Sequence, residues 1–123
     1  MNVVDSSAWL AYFADEGNAE PFAVPLVATD QLVVPAIVIH EVMKVALRES
    51  GEDAALQVYA AMGKGRVVDL DSRLAVAAAR LSLLHGLPTA DSIILATARA
   101  HQATLWTQDV HFEAMPDARY FPK

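Results

Sequence analysis

Four carboxylates fall at the punctuation of this chain: Asp5 after the first short apolar run, Glu41 in the helical segment after the second, Asp91 in the first turn of a late helix, and Asp109 just after the last strong strand segment. Brought to one place by a fold, they form a set of hard oxygen donors of the kind that holds a divalent cation. Such a cluster repels itself by a few kcal/mol per close pair at an effective dielectric of about 20, so it needs cations. The chain has no cysteine, which removes thiolate sites, and the oxygen donors suit Mg²⁺ or Mn²⁺.

Each carboxylate also has an ordinary structural role open to it. Asp5 is a favoured residue for capping a helix that begins at Ser6. Glu41 stands three residues before Lys44 and seven before Arg48 on one helix face, and taken alone an ordinary surface ion pair is the role favoured for it. Asp109 lies in a Gln108-Asp109 turn, where aspartate is common. Asp91 complements a helix dipole, yet on a helical wheel it shares a face with Ile94, Leu95 and Ala98, which point to the core. An inward carboxylate is costly unless paired or metal-bound, so for Asp91 the functional role is favoured. Among the histidines, His85 and His101 fall near helix C-termini, where the dipole suits them, and His40 has no metal-ligand spacing to another histidine.

The elements that must position these groups alternate. Asn2-Val3-Val4-Asp5 is a short strand, and Ser6 to Ala14 carries Trp9, Leu10 and Phe13 at helical spacing. Glu20 to Thr29 is helical by periodicity, but Pro21 suits only a first turn and Pro25 clashes with a continuous helix, so a short or kinked helix is expected. Leu32 to Val34 is the second strand. Pro35 opens a helix over Ala36 to Glu49 that Gly51 terminates, and another follows from Asp53 to Met62. Val67-Val68 is a third strand. Asp71-Ser72 caps a helix running to His85 before Gly86, and Pro88 and Thr89 open the next, to about His101. Thr104 to Thr107 is the fourth strand, and Arg119-Tyr120-Phe121 a short edge strand.

Strands alternating with helices predict right-handed crossovers and an α/β fold with a mostly parallel sheet covered on both faces. Sites in such sheets lie at the carboxyl ends of strands, where Asp5 and Asp109 fall. A chain of 123 residues suits one domain, spanning 1–123, with no linker or repeat. Its 54% hydrophobic composition is broken into runs too short for a membrane span, and an apolar excess on so small a core predicts an interface. No signal-peptide pattern opens the chain, so the expected compartment is the cytoplasm. A net charge of −6 argues against nucleic acid on its face, but charge concentrated in a metal pocket is cancelled by the bound cations.

With these residues in view, Val3-Val4-Asp5-Ser6-Ser7, the Pro35 to Glu41 segment, Thr89 to Ala98, and Thr104 to Asp109 with Phe112 resemble the PIN domain, most closely the VapC-type toxin ribonucleases of bacterial toxin–antitoxin pairs. The resemblance covers essentially the whole chain. It implies a three-layer PIN fold with a short central sheet flanked by helices, an acidic quartet at Asp5, Glu41, Asp91 and Asp109, and polar support from Ser6 and Thr107. It further implies Mg²⁺- or Mn²⁺-dependent endoribonuclease activity on an RNA substrate, a homodimer, and a VapB-like antitoxin whose tail lies across the helices near Asp5 and Glu41. Lys44 and Arg48 are candidate phosphate contacts or plain solvated residues. Many relatives carry a further acid two residues after the Asp109 position; here it is His111, and whether that residue binds metal, orients water or does neither stays open.

Two other classes fit less well. A receiver-type signalling domain needs a phospho-accepting aspartate after the third strand, met loosely by Asp69, and a lysine after a late strand, which does not follow Thr107. A phosphohydrolase with an aspartyl nucleophile usually carries a second aspartate two residues on, and Ser7 is there instead. A PIN-like protein that binds without cleaving is the remaining alternative.

Overall fold

The computed structural model describes all 123 residues. Five strands, β1 (Asn2–Val4), β2 (Leu32–Pro35), β3 (Arg66–Val68), β4 (Thr104–Thr107) and β5 (Ala118–Tyr120), are joined through five helices: α1 (Ser6–Ala14), α2 (Ala19–Val27), α3 (Ala36–Met62), α4 (Ser72–His85) and α5 (Thr89–Ala100). Single 3-10 turns stand at Thr29–Gln31 and Val110–Phe112. All pairings are parallel, in the order β3-β2-β1-β4-β5. The expected α/β architecture is therefore present, with each strand placed as the residue pattern indicates and the edge strand beginning one residue earlier.

The strand order has a functional consequence. From β1 the chain builds outward through β2 to β3, then returns to the other side of β1 for β4 and β5. The direction of winding reverses between β1 and β4, and a crevice opens there beyond the strands' carboxyl ends. Register carries this to single residues: Val4 pairs with Trp106, and the next rung is made by the Asp5 N–H, which donates to the Trp106 carbonyl at 3.1 Å. Asp5 and Thr107 are thus neighbours across the ladder.

Helices cover both faces, so the central strands are continuously apolar instead of alternating. Val3, Val4, Val33, Val34 and Leu105 are all fully buried, and they join Phe22, Met62, Leu95 and Phe112 in one cluster. Two breakers act differently. Gly51, at φ 84°, divides α3 into two helical halves at the predicted place, a conformation that only glycine adopts at little cost. Pro25 does not end α2. It sits buried inside that helix, where its missing N–H removes one intrahelical bond close to an end that a 3-10 turn takes over.

Packing is uneven. Helix α5 buries Ile94, Leu95 and Ala98 against the sheet, whereas α4 buries only Ala78. Leu83 and Leu84 of α4 stand 89% and 74% exposed. No single helix is long and apolar enough to cross a membrane; the apolar pair α4–α5 is bent by 116°.

Candidate active site

Asp5 forms the floor of the crevice. It follows β1 in extended conformation and caps α1, its Oδ1 accepting the Ala8 N–H at 3.0 Å and the Ser7 hydroxyl at 2.8 Å. Its other oxygen accepts the hydroxyl of Thr107 across the sheet. The capping role and the site role therefore coexist in one side chain. With only 3% of the residue exposed, loss of hydration pushes the Asp5 carboxyl up from its ordinary 3.8 to about 6; the three donors pull against this and nearby Asp109 adds to it.

Thr107 links floor to rim. While its hydroxyl donates to Asp5, its oxygen accepts the Asp109 N–H at 2.9 Å, so the turn after β4 is held to the end of β1. Gln108 secures the same turn from the other side: its Nε2 donates to the Ser7 carbonyl at 3.3 Å, and its Oε1 accepts from Asn18 Nδ2 at 3.3 Å.

The rim consists of Asp91, Asp109 and His111. Asp91 lies in the first turn of α5 with its side chain 16% exposed. Burial raises its pKa first, the charge of Asp109 next, and Glu41 adds a smaller push; His111 opposes all three. The His111 Nδ1 lies 2.9 Å from Asp91 Oδ2 and 3.1 Å from Asp109 Oδ1. An ionised carboxylate only accepts, so in the hydrogen bond to Asp91 Nδ1 is the donor, while Asp109 Oδ1 accepts the His111 backbone N–H at 2.9 Å.

Glu41 comes from the second turn of α3, beside fully buried Val38 and Val42. Its Oε1 is buried without a hydrogen-bond partner. The surface ion-pair role open to it in the sequence is not the one it takes: Arg48 pairs instead with exposed Glu49 at 3.4 Å, and Lys44 is exposed.

Three pairs of the predicted acids act on one another electrostatically, Asp109 on Asp5, Asp109 on Asp91 and Glu41 on Asp91, while only Asp91 and Asp109, with His111, bring ligand atoms within 4.8 Å of one another. A buried carboxylate oxygen with no protein donor, near carboxyls raised by burial and repulsion, is an arrangement that a cation would relieve. The donors are oxygens, and the residues present fit a hard divalent ion. The serine whose hydroxyl donates to Asp5 is Ser7, two positions on in the first turn of α1. Asn18 and Gln108 carried no signal in the sequence, being 90 residues apart.

The sequence model of the PIN domain matches residues 3–118. This chain belongs to the PIN-domain family. No curated protein matches it. Among solved structures, the PIN domain is similar to a toxin–antitoxin complex from Klebsiella pneumoniae, with a TM-score of 0.84 and 21% identity over 100% of both chains. It is similar too to the sarcin–ricin-loop-cleaving VapC toxin of Mycobacterium tuberculosis, with a TM-score of 0.76 and 18% identity over 94% of this chain and 95% of that one. A third is VapBC2 from Rickettsia felis, bound to a DNA fragment from its promoter, with a TM-score of 0.76 and 14% identity over 98% of each chain. At these identities the likeness is one of fold.

Proposed function

We propose that this PIN domain is a metal-dependent endoribonuclease and the toxin of a VapBC-like toxin–antitoxin pair. The observation that supports the nuclease reading is the acidic rim of Asp91 and Asp109, whose charges act together with those of buried Asp5 and of Glu41, one oxygen of which is buried and unpartnered. These four residues would hold Mg²⁺ or Mn²⁺. When bound, the ion supplies Lewis-acid stabilisation of charge on the phosphodiester oxygens and lowers the pKa of an attacking water.

The chain's own residues define the rest. Ser7 and Thr107 donate to Asp5, and Ser92 donates to the Thr89 carbonyl at 2.7 Å, so these hydroxyls hold the frame of the site. In this reading the attacking oxygen is that of water, and no covalent enzyme intermediate forms. Thr107 and the Ala8 N–H fix the Asp5 carboxylate in one orientation, and the first turn of α5, anchored by buried Ser92, sets Asp91 beside the turn that carries Asp109. A scissile phosphate enters an acidic crevice, which excludes anions unless cations are in place; cleavage then depends on them absolutely.

The toxin reading is supported by the folds of the toxin–antitoxin structures and by two surfaces. A groove of about 960 Å³ runs between α1 and both halves of α3, lined by Leu10, Phe13, Val42, Val45 and Val58 with Glu16 and Glu49 at its margin. It reaches Ser7, next to the acidic cluster, and suits an apolar antitoxin tail bearing Arg or Lys, which would neutralise the carboxylates. The exposed leucines of α4 suit a homodimer face, to be checked by sedimentation of Leu83→Glu.

The deciding experiment is incubation with a mixed RNA pool plus Mg²⁺, Mn²⁺ or chelator, with fragment ends mapped. Cleavage in either ion, abolished by chelator and leaving 5′-phosphate ends, is expected. Cyclic phosphate ends or indifference to chelator reject the mechanism, and RNA binding without cleavage in either ion makes this a binding protein. Expression of the chain alone is expected to arrest growth, and co-expression of an adjacent small reading frame to restore it.

A further inference from the structure

His111 is the residue of the rim that departs from oxygen donation, and the local structure holds it there. The Asp109 carboxylate accepts the His111 N–H at 2.9 Å and caps the Val110–Phe112 turn. Phe112 anchors the turn in the core, fully buried, while Val110 is left 63% exposed. The imidazole itself is about half exposed, so apolar packing does not account for its position.

What does account for it is the pair of carboxylates. Nδ1, one Asp91 oxygen and one Asp109 oxygen all lie within 4.8 Å of one another. Adjacent donors on a six-coordinate ion with bonds of about 2.1 Å are about 3.0 Å apart, the bond length times the square root of two. The two distances from Nδ1 to the carboxylates, 2.9 and 3.1 Å, match such an edge. A hydrogen bond has the same length, so the distinction lies in which atom carries the imidazole proton. With the proton moved from Nδ1 to Nε2, the Nδ1 lone pair is a ligand and the ring stays neutral.

We propose that His111 Nδ1 is a nitrogen ligand of the cation held by this cluster, and that it biases the site toward a first-row transition dication over Mg²⁺. The proposal rests on reading the cluster as a cation site. Its chemical basis is that Mg²⁺ takes oxygen and dehydrates reluctantly, whereas imidazole is a good ligand for transition ions. An aspartate at this position would leave an all-oxygen set; histidine puts one nitrogen into it.

The test uses the full chain with Mn²⁺ and Mg²⁺, comparing wild type, His111→Ala and His111→Asp by calorimetry, and reads the bound Mn²⁺ by pulsed electron paramagnetic resonance. Wild type is expected to show imidazole nitrogen coupling that vanishes in His111→Ala, with Mn²⁺ affinity falling at least about 10-fold and Mg²⁺ affinity nearly unchanged. His111→Asp is expected to shift the preference back toward Mg²⁺. Because the side chain is half exposed and Phe112 anchors the turn, circular dichroism should show all three proteins folded. Mn²⁺ binding without nitrogen coupling, with coupling that survives His111→Ala, or with equal affinity in both proteins overturns the role of His111 and leaves the cation site standing. Folded protein that binds neither ion overturns both.

Discussion

Asp5 and Asp91 both stand at the start of a helix, and the fold holds them in different ways. Asp5 accepts from three donors, two of them from the first turn of its own helix and one from the neighbouring strand. Asp91 has one partner, the side chain of His111. The floor of the site is thus built from helix capping and sheet register, interactions that persist whether or not an ion is present. The rim is built from a balance of charges, which an ion or a substitution resets. Changes at the floor are therefore expected to appear in folding as well as function, and changes at the rim chiefly in binding and catalysis.

The largest expected effect falls on the carboxylates with fewest protein partners. Asp91→Asn and Glu41→Gln should each lower RNA cleavage by more than about 100-fold, the upper end of the loss when a group that only orients a metal ligand is removed. Their metal-free melting temperatures should be unchanged or slightly raised, since loss of one charge relieves repulsion within the cluster. Single-turnover cleavage rates and thermal melts of both variants check this, and unfolding of both would place these residues in the structural frame instead.

The floor makes a distinct prediction in pH. Asp5 is raised from 3.8 to about 6 by burial, so the folded state binds its proton more tightly than the unfolded chain does. The resulting stabilisation is fully present below pH 3.8 and is lost as the pH rises through about 6, on the order of 3 kcal/mol in metal-free protein. Asp91, shifted in the same direction, adds to the decline. Asp117 runs the other way: Arg99, at 2.9 Å, lowers its pKa despite partial burial, so its contribution is present above its ordinary 3.8 and lost only as the pH falls below that. Urea denaturation in chelator between pH 4 and 7 should show stability falling with pH, and Asp5→Asn should flatten most of the slope. An equal slope in that variant would assign the effect elsewhere.

Smaller effects belong to the hydroxyls that link the two regions. Thr107→Val keeps the shape but leaves an Asp5 oxygen and the Asp109 N–H without their partner, an expected loss of about 1–3 kcal/mol, together with weaker ion binding because the turn bearing Asp109 is loosened. Ser7→Ala removes one of three donors to Asp5 and should cost about 1 kcal/mol. Denaturant midpoints of the two variants order them, and a larger cost for Ser7→Ala would mean that the helix cap, and not the strand-to-strand link, is what chiefly holds Asp5.

The chain's local chemistry determined its elements. Gly51, Gly86 and Pro88 mark helix ends, Asp5 and Asp71 cap the helices that follow them, and runs such as Leu32 to Val34 have no polar residue to expose. Those signals act over a few residues, so they are legible without the fold, as is the set of four acids. Where local signals conflicted, as at Pro25 inside α2, packing prevailed, because one lost hydrogen bond near a helix end is smaller than the burial of Phe22 and Leu26 beside it. The site's contacts were decided by tertiary structure alone. The Asp5–Thr107 bond spans 102 residues and depends on the register of β1 with β4, the burial of Glu41 depends on how α3 returns over the sheet, and His111 meets Asp91 across 20 residues only because Phe112 anchors its turn. Spacing along the chain carries no information about such meetings; the strand order that closes them comes from burying both faces of one parallel sheet at once.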